Sequence, residues 1–254
     1  MTGLPHTRAT PRKRRNMLEN IFFILLVLTA GFILLKSPVF EVRRVQVAGY
    51  QSLEEEKIRA AANIGLGTNI FKVNLNEAAA DIKMIPLIKD VCVRRALPAA
   101  IVIEVSEREP LGLLPAGDGF VEVDAEGVCL RKASAAVPGL PLLTGVQAAL
   151  PALGEPVQAA NLKETLSVIA GLPAEVVREL SEVHAGESGQ VVLYTLDNVQ
   201  CRFGLPENIS EKGQVFTQVL KEVRRQGAKI QYLDLSCAGS PVVYYKQNSG
   251  GGTR

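Results

Sequence analysis

Every position from residue 21 to residue 35 is uncharged and nearly all are apolar, whereas from residue 42 onward apolar positions recur every two residues or every three to four. An unbroken run has no polar face to offer water, so it predicts a helix in a uniformly apolar medium. As a helix the run spans roughly 22 Å, short of the ~30 Å hydrocarbon core, so Met17, Leu18 and residues 37–38 must complete it. Glu19 and Lys36 can reach the headgroups with their charges while their stems stay at the boundary. A membrane helix is therefore expected at 17–38. A cleavable signal is the competing reading, but Leu34, Leu35, Lys36, Ser37, Pro38, Val39 and Phe40 supply no small-x-small cleavage site. Arg14 and Arg15 precede the run without the flanking pattern of a twin-arginine signal.

Past the anchor the period shortens. Val45 and Val47 alternate with Arg44 and Gln46 and end at Gly49, which predicts a strand and a turn. Ser52 with Glu55 three residues on reads as a capping box, opening a helix that carries Leu53, Ile58, Ala61 and Ala62 and ends at Gly65 and Gly67. A second helix opens at Asn74, with Leu75, Ala78, Ala79 and Ile82 on one stripe, and stops near Pro86. Residues 91–95 and 101–107 then alternate as two strands around Leu97-Pro98. Strand, helix, helix, strand, strand predicts two helices over one face of a three-stranded sheet.

After Pro110 the chain reads as a second, β-rich region: short strands near 111–114, 120–123 and 128–130, with turns at 117–119 and 124–127. A Pro-rich connection covers 138–151, followed by two helical segments, one with Leu162, Leu166 and Ile169 and one after Pro173. Residues 191–196 and 199–203 flank Asp197-Asn198 as a hairpin. A helix capped by Ser210 and stopped at Gly227 carries Val215, Phe216, Val219, Leu220 and Val223, with Arg224 and Arg225 at its negative end. Two last strands, 230–235 and 241–245, meet at a turn, and residues 248–254 have the composition of a disordered tail. The expected class is α+β: one transmembrane helix, a β-α-α-β-β unit and a mainly antiparallel β domain with a few helices.

Charge then orients the whole. Residues 1–16 hold Arg8, Arg12, Lys13, Arg14 and Arg15 without an acid, a local charge of +5 in a chain of net +2. By the positive-inside rule this tail is cytoplasmic and everything after the span lies outside. The remainder is slightly acidic, which argues against a nucleic-acid surface. Cys92, Cys129, Cys201 and Cys237 lack metal-ligand spacing, so no metal or other cofactor is expected; in an oxidising compartment their pairing as disulfides is left open. His184 reads as a solvated loop residue beside Glu182 and Glu187, and no nucleophile or phosphate-binding motif accompanies it. Neither an enzyme nor a small-molecule substrate is indicated.

One set of residues resembles a known family. Phe40, Val45, Val47, Gly49, Ile58, Gly67, Ile70, Phe71, Ile82, Pro86, Val91, Val93, Arg94, Leu97, Pro98, Ile103, Val105, Glu107, Arg108 and Pro110, in that order after an anchor, resemble a POTRA domain. A single such module followed by segments like 120–127, 140–145 and 232–235 is similar to the FtsQ/DivIB family of bacterial cell-division proteins. The resemblance implies a cytoplasmic tail at 1–16, the span at 17–38, POTRA at 39–109, a β domain at 110–247 and a tail at 248–254. It further implies an inner-membrane divisome scaffold at the septum that binds FtsB and FtsL, with FtsK, FtsW and FtsI as further partners. In that family the last strands of the β domain take up a strand of FtsB, which here points to Leu235, Val242, Val243, Tyr244 and Tyr245. Ser236-Cys237 departs from the Arg-Tyr of many proteobacterial relatives. Two other readings, a POTRA factor of outer-membrane protein assembly and an exported enzyme, require a C-terminal barrel and a processed N-terminus respectively.

Overall fold

The computed structural model describes residues 12–245 except 118, 148, 229, 238 and 239. Residues 1–11 of the expected tail 1–16, the expected tail 248–254, and Asp118, Ala238 and Gly239 of the expected turns lie outside the described residues.

Helix α1 (Arg12–Leu35) contains the apolar span Met17–Leu35, nineteen residues or about 28 Å of rise, none of it buried within the protein. Its apolar side chains are exposed all round, as a helix meant for lipid requires. The chain, α1 included, divides into two compact units. The first takes the chain up to Tyr50 with Glu54–Asp81 and Val91–Val105; the second takes Gln51–Leu53, Ile82–Asp90 and everything from Ser106 onward.

The first unit is organised by a three-stranded sheet ordered β1, β3, β2: β1 (Arg44–Ala48), β2 (Ile88–Ala96) and β3 (Ala100–Glu107). β1 runs parallel to β3, pairing Arg44 with Ala100 and Ala48 with Glu104. Helices α2 (Glu55–Ala62) and α3 (Leu75–Lys83) come between β1 and β2 in the chain, in the order the periodicity predicts. Val45, Ile58, Ala62, Ile70, Ala78, Ile101 and Ile103 form the buried set. Gly49 closes β1 at φ +88°, where an added Cβ would lie 2.1 Å from the Val105 carbonyl oxygen, so only glycine fits.

The capping box expected at Ser52 does not form. The N-cap of α2 is Glu54, which makes no side-chain cap bond. Ser52 instead donates from its hydroxyl and its backbone N–H to the Glu107 carboxylate, which also accepts from Gln51 N–H (2.8 Å) and Leu53 N–H (3.1 Å). An ionised acceptor gathering several donors outcompetes a neutral cap. Burial pushes the Glu107 carboxyl up, but the hydrogen bonds from the Ser52 hydroxyl and the three N–H groups outweigh it and leave it below its usual value. Glu107→Gln keeps one acceptor oxygen and loses the charge, and is expected to cost about 1–2 kcal/mol at neutral pH in urea titrations. Because the folded value is depressed, that cost should shrink as acid protonates the wild-type carboxylate.

The second unit is a nine-stranded sheet in the order β12, β11, β10, β9, β8, β7, β4, β5, β6. The strands are β4 (Gly112–Ala116), β5 (Gly119–Val123), β6 (Cys129–Ala133), β7 (Leu142–Thr144), β8 (Leu180–Ala185), β9 (Val191–Thr195), β10 (Gln200–Gly204), β11 (Ile230–Asp234) and β12 (Val242–Tyr245). Five of its pairings are antiparallel, and three, β4/β7, β7/β8 and β10/β11, are parallel. Helices explain two of the parallel steps: α4 (Leu162–Gly171) and α5 (Ala174–Val177) carry the chain from β7 to β8, and α6 (Ile209–Gln226) carries it from β10 to β11. Helix α6 begins two residues earlier than a Ser210 cap allows, with Asn208 as N-cap in the left-handed conformation, and stops at Gly227 as expected. Its buried Phe216, Leu220 and Val223 join Leu193, Cys201, Phe203, Leu233 and the α4 residues Leu166 and Ile169 in one core. Lys212 reaches back from the same helix to donate to the Phe203 (2.9 Å) and Leu205 (3.1 Å) carbonyls, which satisfies a nearly buried ammonium.

Candidate partner-binding edge

Strand β12 is the last strand of the large sheet among the described residues, held by β11 alone. The register pairs Asp234 with Val242, Leu233 with Val243, Tyr232 with Tyr244 and Ile230 with Tyr245, with an irregularity between Ile230 and Tyr232. Alternation along a strand then sorts the side chains. On the inner face Val243 packs, half-buried, against the core, beside buried Leu233 and Cys201. On the outer face the Tyr232 and Tyr244 rings stack with centroids 4.2 Å apart at 20°, and the Arg202 guanidinium lies 4.3 Å from the Tyr232 centroid. Three strands thus present a row of Arg202, Tyr232 and Tyr244 that leads to the open edge.

Of the five residues the sequence points to, Val242, Tyr244 and Tyr245 are 44%, 47% and 55% exposed, which leaves them free to meet another chain. Leu235 is different. It is 3% exposed and its N–H donates to the Arg202 carbonyl at 2.8 Å, so it anchors the end of β11 in the core and offers no apolar surface, a correction to its expected contact role. Sequence reasoning passes over Arg202 and Tyr232, because alternation shows which way each points but only the α6 crossover makes β10 and β11 neighbours.

The opposite end of the sheet is less open. β6 carries Arg131 and Lys132, its Cys129 N–H already donates to the Glu155 carbonyl (3.0 Å), and its Cys129 carbonyl accepts from Gly154 N–H (2.7 Å). Charged and partly covered edges resist strand addition. All four cysteines are free thiols; Cys92 and Cys237 are exposed, Cys129 and Cys201 buried, and burial pushes the Cys201 thiol well up.

His184 lies in strand β8 and not in a loop. Its Nδ1 is 2.8 Å from the Thr144 hydroxyl, which donates to Glu182 at 2.5 Å. With that proton committed to the carboxylate, the hydroxyl can only accept from the imidazole. The arrangement ties β7 to β8.

One lipid-length apolar helix followed by a POTRA-like sheet unit and a larger strand-rich unit defines an α+β, single-pass membrane protein. Its sequence matches the FtsQ-type POTRA domain over residues 40–108 and the C-terminal region of cell division protein FtsQ/DivIB over residues 112–236. It is 30% identical to cell division protein FtsQ of Streptomyces venezuelae over 240 residues, 94% of this chain and 84% of that one. It is 29% identical to cell division protein DivIB of Clostridium tetani, covering 89% of this chain and 87% of the relative. Among solved structures, the major extracytoplasmic domain of DivIB from Geobacillus stearothermophilus aligns at 19% identity with a TM-score of 0.36, over 47% of this chain and 97% of that one. The chain belongs to the FtsQ/DivIB family of bacterial cell-division proteins.

Proposed function

We propose that this chain is a non-catalytic scaffold of the division machinery, held in the inner membrane with residues 1–16 in the cytoplasm and residues 39–247 outside as a POTRA domain (39–109) and a β domain (110–247). In this reading it binds FtsB and FtsL during septum formation and links the early cytoplasmic division proteins to the late periplasmic ones, FtsW and FtsI among them, with FtsK as a further partner. The observation that carries it is the open edge of β12, with Val242, Tyr244 and Tyr245 exposed beside it. An incoming strand would satisfy the free N–H and C=O groups of that edge and lay its own side chains against the Arg202, Tyr232 and Tyr244 row.

The test is co-purification of FtsB with the full chain carrying Tyr244→Pro, or Val242→Asp with Tyr245→Ala. Val243 is left alone because it packs on the core. Recovery should fall at least about tenfold, the equivalent of about 1.4 kcal/mol. Undiminished recovery with Tyr244→Pro would remove β12 as the contact. Depletion should leave cells filamentous, and normal septation without the protein would count against the scaffold role.

A further inference from the structure

The chain leaves the membrane helix directly into the first unit, and the junction is built. Asn69 Nδ2 donates at 2.7 Å to the carbonyl of Leu35, one of the four carbonyls that a helix leaves unpaired at its C-terminus. The same side chain accepts from Phe71 N–H at 3.0 Å, so Asn69 orders a tight turn over residues 69–72. Ile70 N–H donates to the Phe40 carbonyl at 2.8 Å, and Phe71 packs on Phe40 with centroids 5.3 Å apart. Arg95 fastens the far side of this turn by donating to the Ile70 and Val73 carbonyls, both at 2.8 Å.

A second loop lies at the same end. β1 starts where it leaves this junction, and its parallel partner β3 starts beside it, with Arg43 N–H donating to the Ala99 carbonyl at 2.8 Å. The turn from β2 to β3, with Leu97 61% exposed, therefore sits at the helix end of the unit. Val39 (49%) and Phe71 (43%) are exposed there too, and Lys36, Arg43 and Lys72, close to them along the chain, are exposed cations. Exposed apolar side chains accompanied by cations, at the mouth of a membrane span, match the chemistry of the lipid headgroup zone.

We propose that this end of the first unit rests on the bilayer, with Phe71 and Leu97 entering the headgroup layer and Lys36, Arg43 and Lys72 meeting anionic lipid phosphates. The occupant is the membrane itself, continuous with the surface that already holds α1. Contact through two separate loops fixes the tilt of the unit, which a single flexible exit from a helix could not do. The inference rests on α1 spanning the bilayer.

The chain contains no tryptophan, so one introduced residue reports alone. Full-length Leu97→Trp and Phe71→Trp are reconstituted in nanodiscs holding phosphatidylglycerol and a headgroup-level nitroxide lipid. Tyr50→Trp, beyond the far end of β1, is the solvent reference, and Phe32→Trp reports the span. Leu97→Trp and Phe71→Trp should be blue-shifted and quenched several-fold more than Tyr50→Trp. Quenching of Leu97→Trp should weaken when Arg43→Glu and Lys72→Glu are added. Quenching no greater than at Tyr50→Trp, with Phe32→Trp quenched normally, overturns the proposal and leaves the span intact. An unquenched Phe32→Trp overturns the span reading and the proposal with it.

Discussion

Replacing Phe216 by Ala is expected to destabilise the second unit by about 3–5 kcal/mol, a large part of the stability of a domain of this size. The ring is fully buried on α6, the helix between β10 and β11, and it belongs to the cluster that includes Phe203, Leu220 and Leu233. Truncation removes the transfer energy of the ring and leaves a cavity that residues on a helix and several strands cannot all move to fill. Because α6 delivers the chain to β11, loosening it should also weaken β12 and the row of Arg202, Tyr232 and Tyr244. Urea titration followed by circular dichroism gives the stability change; hydrogen exchange at β11 and β12 should rise before exchange at β4 and β5. Phe216→Leu, which keeps most of the volume, should cost less than half as much. A Phe216→Ala midpoint unchanged from the wild type would mean that the helix is not packed as described.

Much of this architecture was legible in the residues because local signals and burial agree. The apolar helix was visible since fifteen successive uncharged, mostly apolar positions leave it no polar face for water, and the β-α-α-β-β order followed from two clean changes of period. Asn74 has the residue type of a helix start, and its side chain accepts from Glu77 N–H at 3.3 Å. Ser52 suits a cap by residue type, yet its side chain goes to a stronger partner, Glu107, fifty-five residues away, whereas at α6 the cap position falls on Asn208, two residues before Ser210. The parallel β10/β11 pairing was illegible, since a strand, a helix and a strand fit either direction until their neighbours are known. The edge was half legible. Alternation marked Val242 to Tyr245 as a strand, but it could not separate Leu235, which is core, from Tyr244, which is surface.

The same distinction between local and long-range partners governs the largest electrostatic effect. Arg108 Nη1 donates to Asp124 Oδ2 at 2.6 Å and to Glu126 Oε2 at 2.8 Å, and Lys89 Nζ lies 2.9 Å from Glu126 Oε1. The Arg108 side chain is 15% exposed and that of Asp124 only 6%, so Arg108→Ala strands a nearly buried carboxylate and is expected to cost about 3–4 kcal/mol. Part of that charge stays satisfied, because Asp124 Oδ1 still accepts from the Glu126 and Val128 N–H groups at 2.9 Å. Hydrogen bonds from Arg108 and then Lys89 hold the Glu126 carboxyl down to about 2. A depressed folded value adds stability that is complete above the ordinary carboxylate value, about 4.3, and lost as pH falls through the folded one. The wild type should therefore lose stability between about pH 4.5 and 2 more steeply than Arg108→Ala, in which Glu126 titrates nearer its usual value. Urea midpoints for the two proteins at pH 7, 4 and 3 should converge as the solution becomes acidic. A constant gap across that range would show that Arg108 acts through packing and that the charge of Glu126 contributes nothing to the fold.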